Sequence, residues 1–211
     1  VYEPAVATVN MTKSEASNII LAKTEDEITA QVGVKTTVDT PLYDLTKIEI
    51  ENDEAVENGY VAYSLANGQA LPKGLRMSGG KIYGEPVNAS DVEQSVVFRV
   101  RGQNQTMAEF TLKIAKIEKG VPTLAETKTI EAYAGMTLAD VALPSVVNGK
   151  YQWADTTQLL GKAGTSDRYD AYFIPDDAAN YDWNKLDKSS GTYEKLDDGS
   201  ERIAVKLTVY V

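Results

Sequence analysis

The chain has 211 residues, 31 acidic against 21 basic for a net charge of −10, and it holds neither histidine nor cysteine. That composition excludes Ser-His-Asp and imidazole–zinc chemistry, cysteine nucleophiles, thiolate metal sites and disulfides. The shortage of positive charge is even, with 11 basic and 16 acidic residues in 1–117 and 10 and 15 in 118–211, so no basic surface for nucleic acid or an anionic membrane is expected.

Apolar–polar alternation dominates, and strands are expected throughout. In chain order they fall at Ala5–Met11, Asn18–Ala22, Ile28–Val32, Lys35–Val38, Lys47–Ile50 and Val61–Leu65. Leu71-Pro72-Lys73-Gly74-Leu75 breaks the pattern. A short strand Leu75–Met77 then meets the tight turn Ser78-Gly79-Gly80 and returns through Lys81–Tyr83. Val96–Arg101 and Ala108–Ile114 flank Gly102-Gln103-Asn104-Gln105 and read as a hairpin.

The alternating run ends at Ile117, and Glu118-Lys119-Gly120-Val121-Pro122 is short and polar with Gly and Pro, so a domain boundary is expected there. It divides the chain into 1–117 and 118–211, each long enough to bury its own core. Beyond it, strands are expected at Lys128–Tyr133, Lys150–Ala154, Asp167–Ile174 and Glu201–Val211, with one helical turn or a bend at Leu138-Ala139-Asp140-Val141. In the last strand Ile203, Val205, Leu207 and Val209 share a face. Pro175–Ser200 is long for a loop, so a hairpin or a functional insertion is expected within it. No apolar run approaches the ~20 residues of a membrane span, so no membrane insertion of this fragment is expected. The chain starts at Val1 rather than Met, as a segment trimmed from a longer precursor would. Short strands separated by turns indicate an all-β fold of two tandem immunoglobulin-like β-sandwich domains.

Tyr63-Ser64-Leu65, then Leu71-Pro72-Lys73-Gly74-Leu75 and Lys81-Ile82-Tyr83-Gly84-Glu85-Pro86, followed by the valine-rich hairpin Val96–Ile114, resemble the immunoglobulin-like, cadherin-like domains of bacterial surface proteins over residues 28–117. The pattern has a physical reading: Gly74 admits a positive φ, Leu71 and Leu75 turn inward, and Gly84 lets the backbone pass closely before Pro86. The second half is similar to a repeat module of Gram-positive surface proteins. The matching residues are Gly135–Val141 with Leu143-Pro144, Tyr151–Asp155, Gly161–Gly164 and Tyr172–Tyr181, with an insertion around 182–198. The resemblance implies an extracellular repeat of the cell surface or cell wall, without activity of its own.

Two constellations suggest binding. Asp176, Asp177 and Asp182, with Asn180 among them, carry the oxygens a Ca²⁺ ion takes, although no EF-hand spacing is present. Asx residues also cap turns, which is the structural reading of the same segment. The aromatics Tyr181, Trp183 and Tyr193, within a set that also includes Tyr169 and Tyr172, sit beside Asp and Asn as sugar-stacking rings do. Trp183 lies in a polar stretch and is the surface candidate, whereas Trp153 alternates with Tyr151 and reads as core. No motif selects a pair of carboxylates for glycoside hydrolysis.

The expected function is a non-catalytic module of an extracellular bacterial surface protein, an adhesive or structural spacer. Its partners would be neighbouring domains and a host or cell-wall glycan or protein, and no cofactor is required unless calcium binds. The alternative is a carbohydrate-binding module attached to a secreted polysaccharide-active enzyme.

Overall fold

The structure, a computed structural model, describes residues 18–211. The strand expected at Ala5–Met11 lies outside the described residues. The first half contains β1 (Glu25–Gln31), β2 (Tyr43–Asp44), β3 (Ala62–Leu65), β4 (Leu75–Ser78), β5 (Lys81–Gly84), β6 (Gln94–Arg101) and β7 (Met107–Glu118). The second contains β8 (Ile130–Glu131), β9 (Gly149–Trp153), β10 (Ser166–Pro175), β11 (Thr192–Lys195) and β12 (Glu201–Tyr210). The described residues form no α-helix, only single 3-10 turns, and the fold is all-β with immunoglobulin-like sandwich layering.

In the first half a four-stranded sheet, β1-β7-β6-β3, faces a three-stranded sheet, β2-β5-β4. Alternation places Phe98, Val100, Phe110 and Leu112 between them, and Leu45 and Ile82 meet these from the other layer, all at most 1% exposed. Tyr43 stacks on Phe110 with ring centroids 5.7 Å apart. The expected hairpin is β6–β7, in register from Gln94↔Ile114 to Arg101↔Met107. Lys35–Val38 and Lys47–Ile50 do not form strands: Thr36 makes one bridge to Gly84, and a 3-10 turn at Leu45–Lys47, capped by Asp44, displaces the second.

The glycines of the L-P-x-G-L and I-x-G-x-P segments interlock. Leu75 pairs with Gly84, and the Glu85 amide donates to the Gly74 carbonyl at 3.0 Å. A Cβ on Gly84 would lie 2.2 Å from that carbonyl oxygen, and one on Gly74 would lie 1.9 Å from the Glu85 oxygen. Both have positive φ, so the spacing of the two motifs follows from one backbone crossing.

The main sheet of the second half repeats the strand order of the first. Its sheet runs β9-β10-β12, with both β11 and β8 along the far side of β12. Among the described residues the first strand of each half pairs parallel with the last: β1 with β7, and β8 with β12. β12 and β10 thus correspond to β7 and β6, and the Pro175–Ser200 segment occupies the place of the short Gly102–Gln105 turn. Of a hairpin expected inside that segment only one strand, β11, lies within it, and it pairs with β12 beyond Ser200. The layer opposite this sheet is built from extended segments and 3-10 turns. One is Leu138–Asp140, whose ends Thr137 and Asp140 close as a capping box. Trp153 is core as expected, and its indole donates to the Val141 carbonyl at 3.2 Å. The two main clusters, around Phe110 and around Phe173, share no buried residue.

Candidate functional site

Of the residues that sequence reasoning groups as a ligand site, Asp177, Tyr181 and Asp182, with Asn180, lie where the two halves meet. β7 ends at Glu118, and Gly120 forms a parallel bridge with Tyr181. The Gly120 amide donates to the Asn180 carbonyl at 2.8 Å, and the Asp182 amide donates to the Gly120 carbonyl at 2.9 Å. The linker is therefore paired to the insertion of the second half. Gly120 has to be glycine, since a Cβ would lie 2.7 Å from the Val32 oxygen and 2.9 Å from the Tyr181 ring.

Asn180 extends this contact into the first half. Its Oδ1 accepts from the Ala89 amide at 2.8 Å. The other end of the same side chain is held by Asp177, whose two carboxylate oxygens accept from Nδ2 at 3.0 and 3.2 Å. The Asn180 amide also donates to Asp177 at 3.2 Å, which makes the segment an Asx turn aimed at its neighbour. Lys119 Nζ donates to the Ala178 carbonyl at 2.6 Å, and Gln31 Nε2 donates to the Lys119 carbonyl at 3.0 Å. Tyr181 lies half-buried against Ala30, Val32, Ile114 and Ile117 of the first half while also packing on the core of the second.

The expected calcium ligands are not gathered. Asp177 is spent on Asn180, Asp182 lies 3.6 Å from Lys185, and Asp176 is exposed. Among the described residues no group of three or more acidic side chains is placed to hold a metal ion.

The expected sugar platform is not formed by its three residues either. Trp183 is 2% exposed rather than at the surface, tilted against Phe173 at 5.1 Å, because the 3-10 turn Trp183–Lys185 folds its ring into the core beneath the insertion. Tyr181 is taken up by the junction. Tyr193 is half-buried, and its hydroxyl donates to Glu201 at 2.9 Å. Burial first, and then that carboxylate, push its phenol up. Of the wider set, Tyr169 is buried, and Tyr172 carries the Arg202 guanidinium 3.7 Å above its ring. Arg202 is held there by Glu194 at 2.6 Å.

Groove carboxylates differ in their engagement: Glu49, Glu51 and Asp53 line a 660 Å³ groove of the first half with no ion pair among the described residues. A 430 Å³ groove over β10, β11 and β12 contains Asp170 and Glu194, which are paired at 2.6 Å with Lys206 and Arg202. A 510 Å³ groove beside Tyr151 and Phe173 has Glu126 as the only carboxylate among its lining residues.

Sequence reasoning missed Gly120, Ala89 and the outward role of Asn180. The D-x-x-N spacing announces a turn, but only the folded chain shows that its open side meets Ala89.

No family model and no curated protein matches the chain. Among solved structures it is similar to Drosophila N-cadherin EC1-4 at 11% identity and a TM-score of 0.39, over 92% of this chain and 49% of that one. It is similar to protocadherin gamma B2 extracellular cadherin domains at 8% identity and a TM-score of 0.37, over 90% of this chain and 39% of that one. It is also similar to an endo-fucoidan hydrolase of glycoside hydrolase family 107 at 11% identity and a TM-score of 0.44, over 99% of this chain and 31% of that one. The chain thus spans less than half the length of each of these proteins.

Proposed function

We propose that the chain is a non-catalytic spacer or adhesive module of an extracellular, cell-surface protein, one that holds neighbouring domains at a set distance and orientation. One observation carries this reading: the pairing of Gly120 with Asn180, Tyr181 and Asp182, reinforced by the Asn180–Ala89 hydrogen bond. Short linkers between separate cores leave relative motion as the default. Here the linker backbone is paired and the half-buried Tyr181 packs on both halves, so two sandwiches act as one stiff element. The absence of histidine and cysteine fits a role without bond-breaking.

The test is the orientation of the halves in solution. Residual dipolar couplings from the two halves should fit a single alignment tensor. In Asn180→Ala they should require two. Two independent tensors in the parent chain would overturn the reading. For adhesion itself, immobilised chain presented to glycan and protein arrays should give saturable binding if the module docks a partner, and none if it only spaces.

A further inference from the structure

We propose that the chain bears tension in a graded way, with the second half yielding before the first. This inference rests on the spacer reading, since a spacer between two attached domains is pulled through its ends. Among the described residues, the first strand of each half lies parallel to its last. Opposed pulling on such a pair slides one strand along the other, so every bond between them is loaded at once. In a peeling geometry the bonds would fail one at a time. Forced unfolding is governed by the unfolding rate, and the barrier rises with the number of bonds that have to break together.

The two halves differ sharply in that number. β1 and β7 are in register over seven pairs, from Glu25↔Thr111 to Gln31↔Glu118, with one bulge after Ile28. The pairing is extended at both ends: the Thr111 amide donates to Thr24 at 2.9 Å, and the Val32 amide donates to Glu118 at 3.0 Å. Upstream, the Ala22 amide donates to Glu49 at 2.9 Å, and Ile20 accepts from the Glu51 amide at 2.8 Å.

β8 and β12 share two pairs, Val209↔Ile130 and Tyr210↔Glu131, supported by the Ala132 amide donating to Tyr210 at 2.8 Å. Among the described residues, 121–129 make no backbone hydrogen bond to any other segment. Once β8 slides free, Leu124, Ile130 and Ala132 leave the core they pack on. The Gly120 pairing lies on the same path and opens first, freeing the Tyr181 contact while both sheets stay paired. The chain would therefore extend in three stages: a short junction step, a low-force step from the second half, and a high-force step from the first.

Single-molecule force spectroscopy on the full chain, held by handles at its two ends, tests this. Each half releases about 300 Å of chain, so length alone does not assign the steps, but crosslinks do. The parent chain has no cysteine, so one disulfide can be placed cleanly. Glu131→Cys with Tyr210→Cys spans a surface pair in register and takes the second half out of the path. Its oxidised form should lose the low-force step and keep the high-force one, and reductant should restore the missing step in the same molecule. Glu27→Cys with Lys113→Cys, in register across β1–β7, should do the reverse. A low-force step that survives the 131–210 crosslink, or equal rupture forces for the two halves, would overturn the inference. Neither result bears on the alignment tensors that test the spacer reading.

Discussion

Gly74 and Gly84 hold the first half together through what they lack. Each has a positive φ, and each faces a carbonyl that a Cβ would strike. Gly84→Ala should cost about 2–4 kcal/mol, because strain and a backbone clash add. Urea unfolding followed through the first half would measure it, with Gly79→Ala as a control for φ alone, since nothing lies within 4 Å of that position. A second residue-scale effect is electrostatic. Lys23, then the Tyr43 hydroxyl and the Glu27 amide, hold the Asp26 carboxyl down from 3.8 to about 2. A carboxyl with a lowered folded value favours the folded chain above its unfolded value and loses that contribution as pH falls through the folded one. The parent chain should therefore lose more stability between about pH 4 and pH 2 than Asp26→Asn does. The site is open to solvent, so the difference should be small and should shrink with added salt, as denaturation midpoints at two ionic strengths would show.

At the scale of the element, the Pro175–Ser200 segment does three jobs. Its first part clasps the first half, its middle drops Trp183 into the core, and its end forms β11 on the edge of β12. Trp183→Ala should cost about 3–5 kcal/mol, as the loss of a large buried ring does. It should also flatten the near-ultraviolet circular dichroism without altering any glycan binding. Asn180→Ala strips the Ala89 amide of its acceptor. It should lower stability by about 1–3 kcal/mol, with the change in hydrogen exchange confined to Ala89, Gly120 and Asp182. Asp177→Ala should act in the same direction through Asn180.

For the whole molecule, the proposed stiffness rests on the backbone pairing of Gly120 with Asn180, Tyr181 and Asp182 between two core clusters. In that pairing the carboxylate of Asp177 is bonded to Asn180 and that of Asp182 lies beside Lys185. A site with a micromolar dissociation constant would add about 4 kcal/mol at millimolar calcium. The melting temperature should instead be the same in calcium and in chelator. A rise in calcium would place an ion where the present geometry gathers no ligands.

Much of this was legible locally. The β6–β7 hairpin, the turn at Gly79-Gly80, the core position of Trp153 and the alternation of β12 follow from period-two patterning and turn chemistry, which act between neighbours in the chain. The lack of histidine and cysteine likewise settled which chemistries are excluded before any fold was considered. Tertiary structure alone decided what Asn180, Tyr181 and Trp183 do. Their surroundings come from Val32, Ala89, Gly120 and Phe173, which are distant in sequence, and burial and hydrogen bonding depend on which segments meet. A polar stretch with aromatics reads the same whether its rings face solvent or a core. The folding of β11 and the Trp183 turn onto the sheet sends the tryptophan inward and the Asx turn across to the neighbouring half.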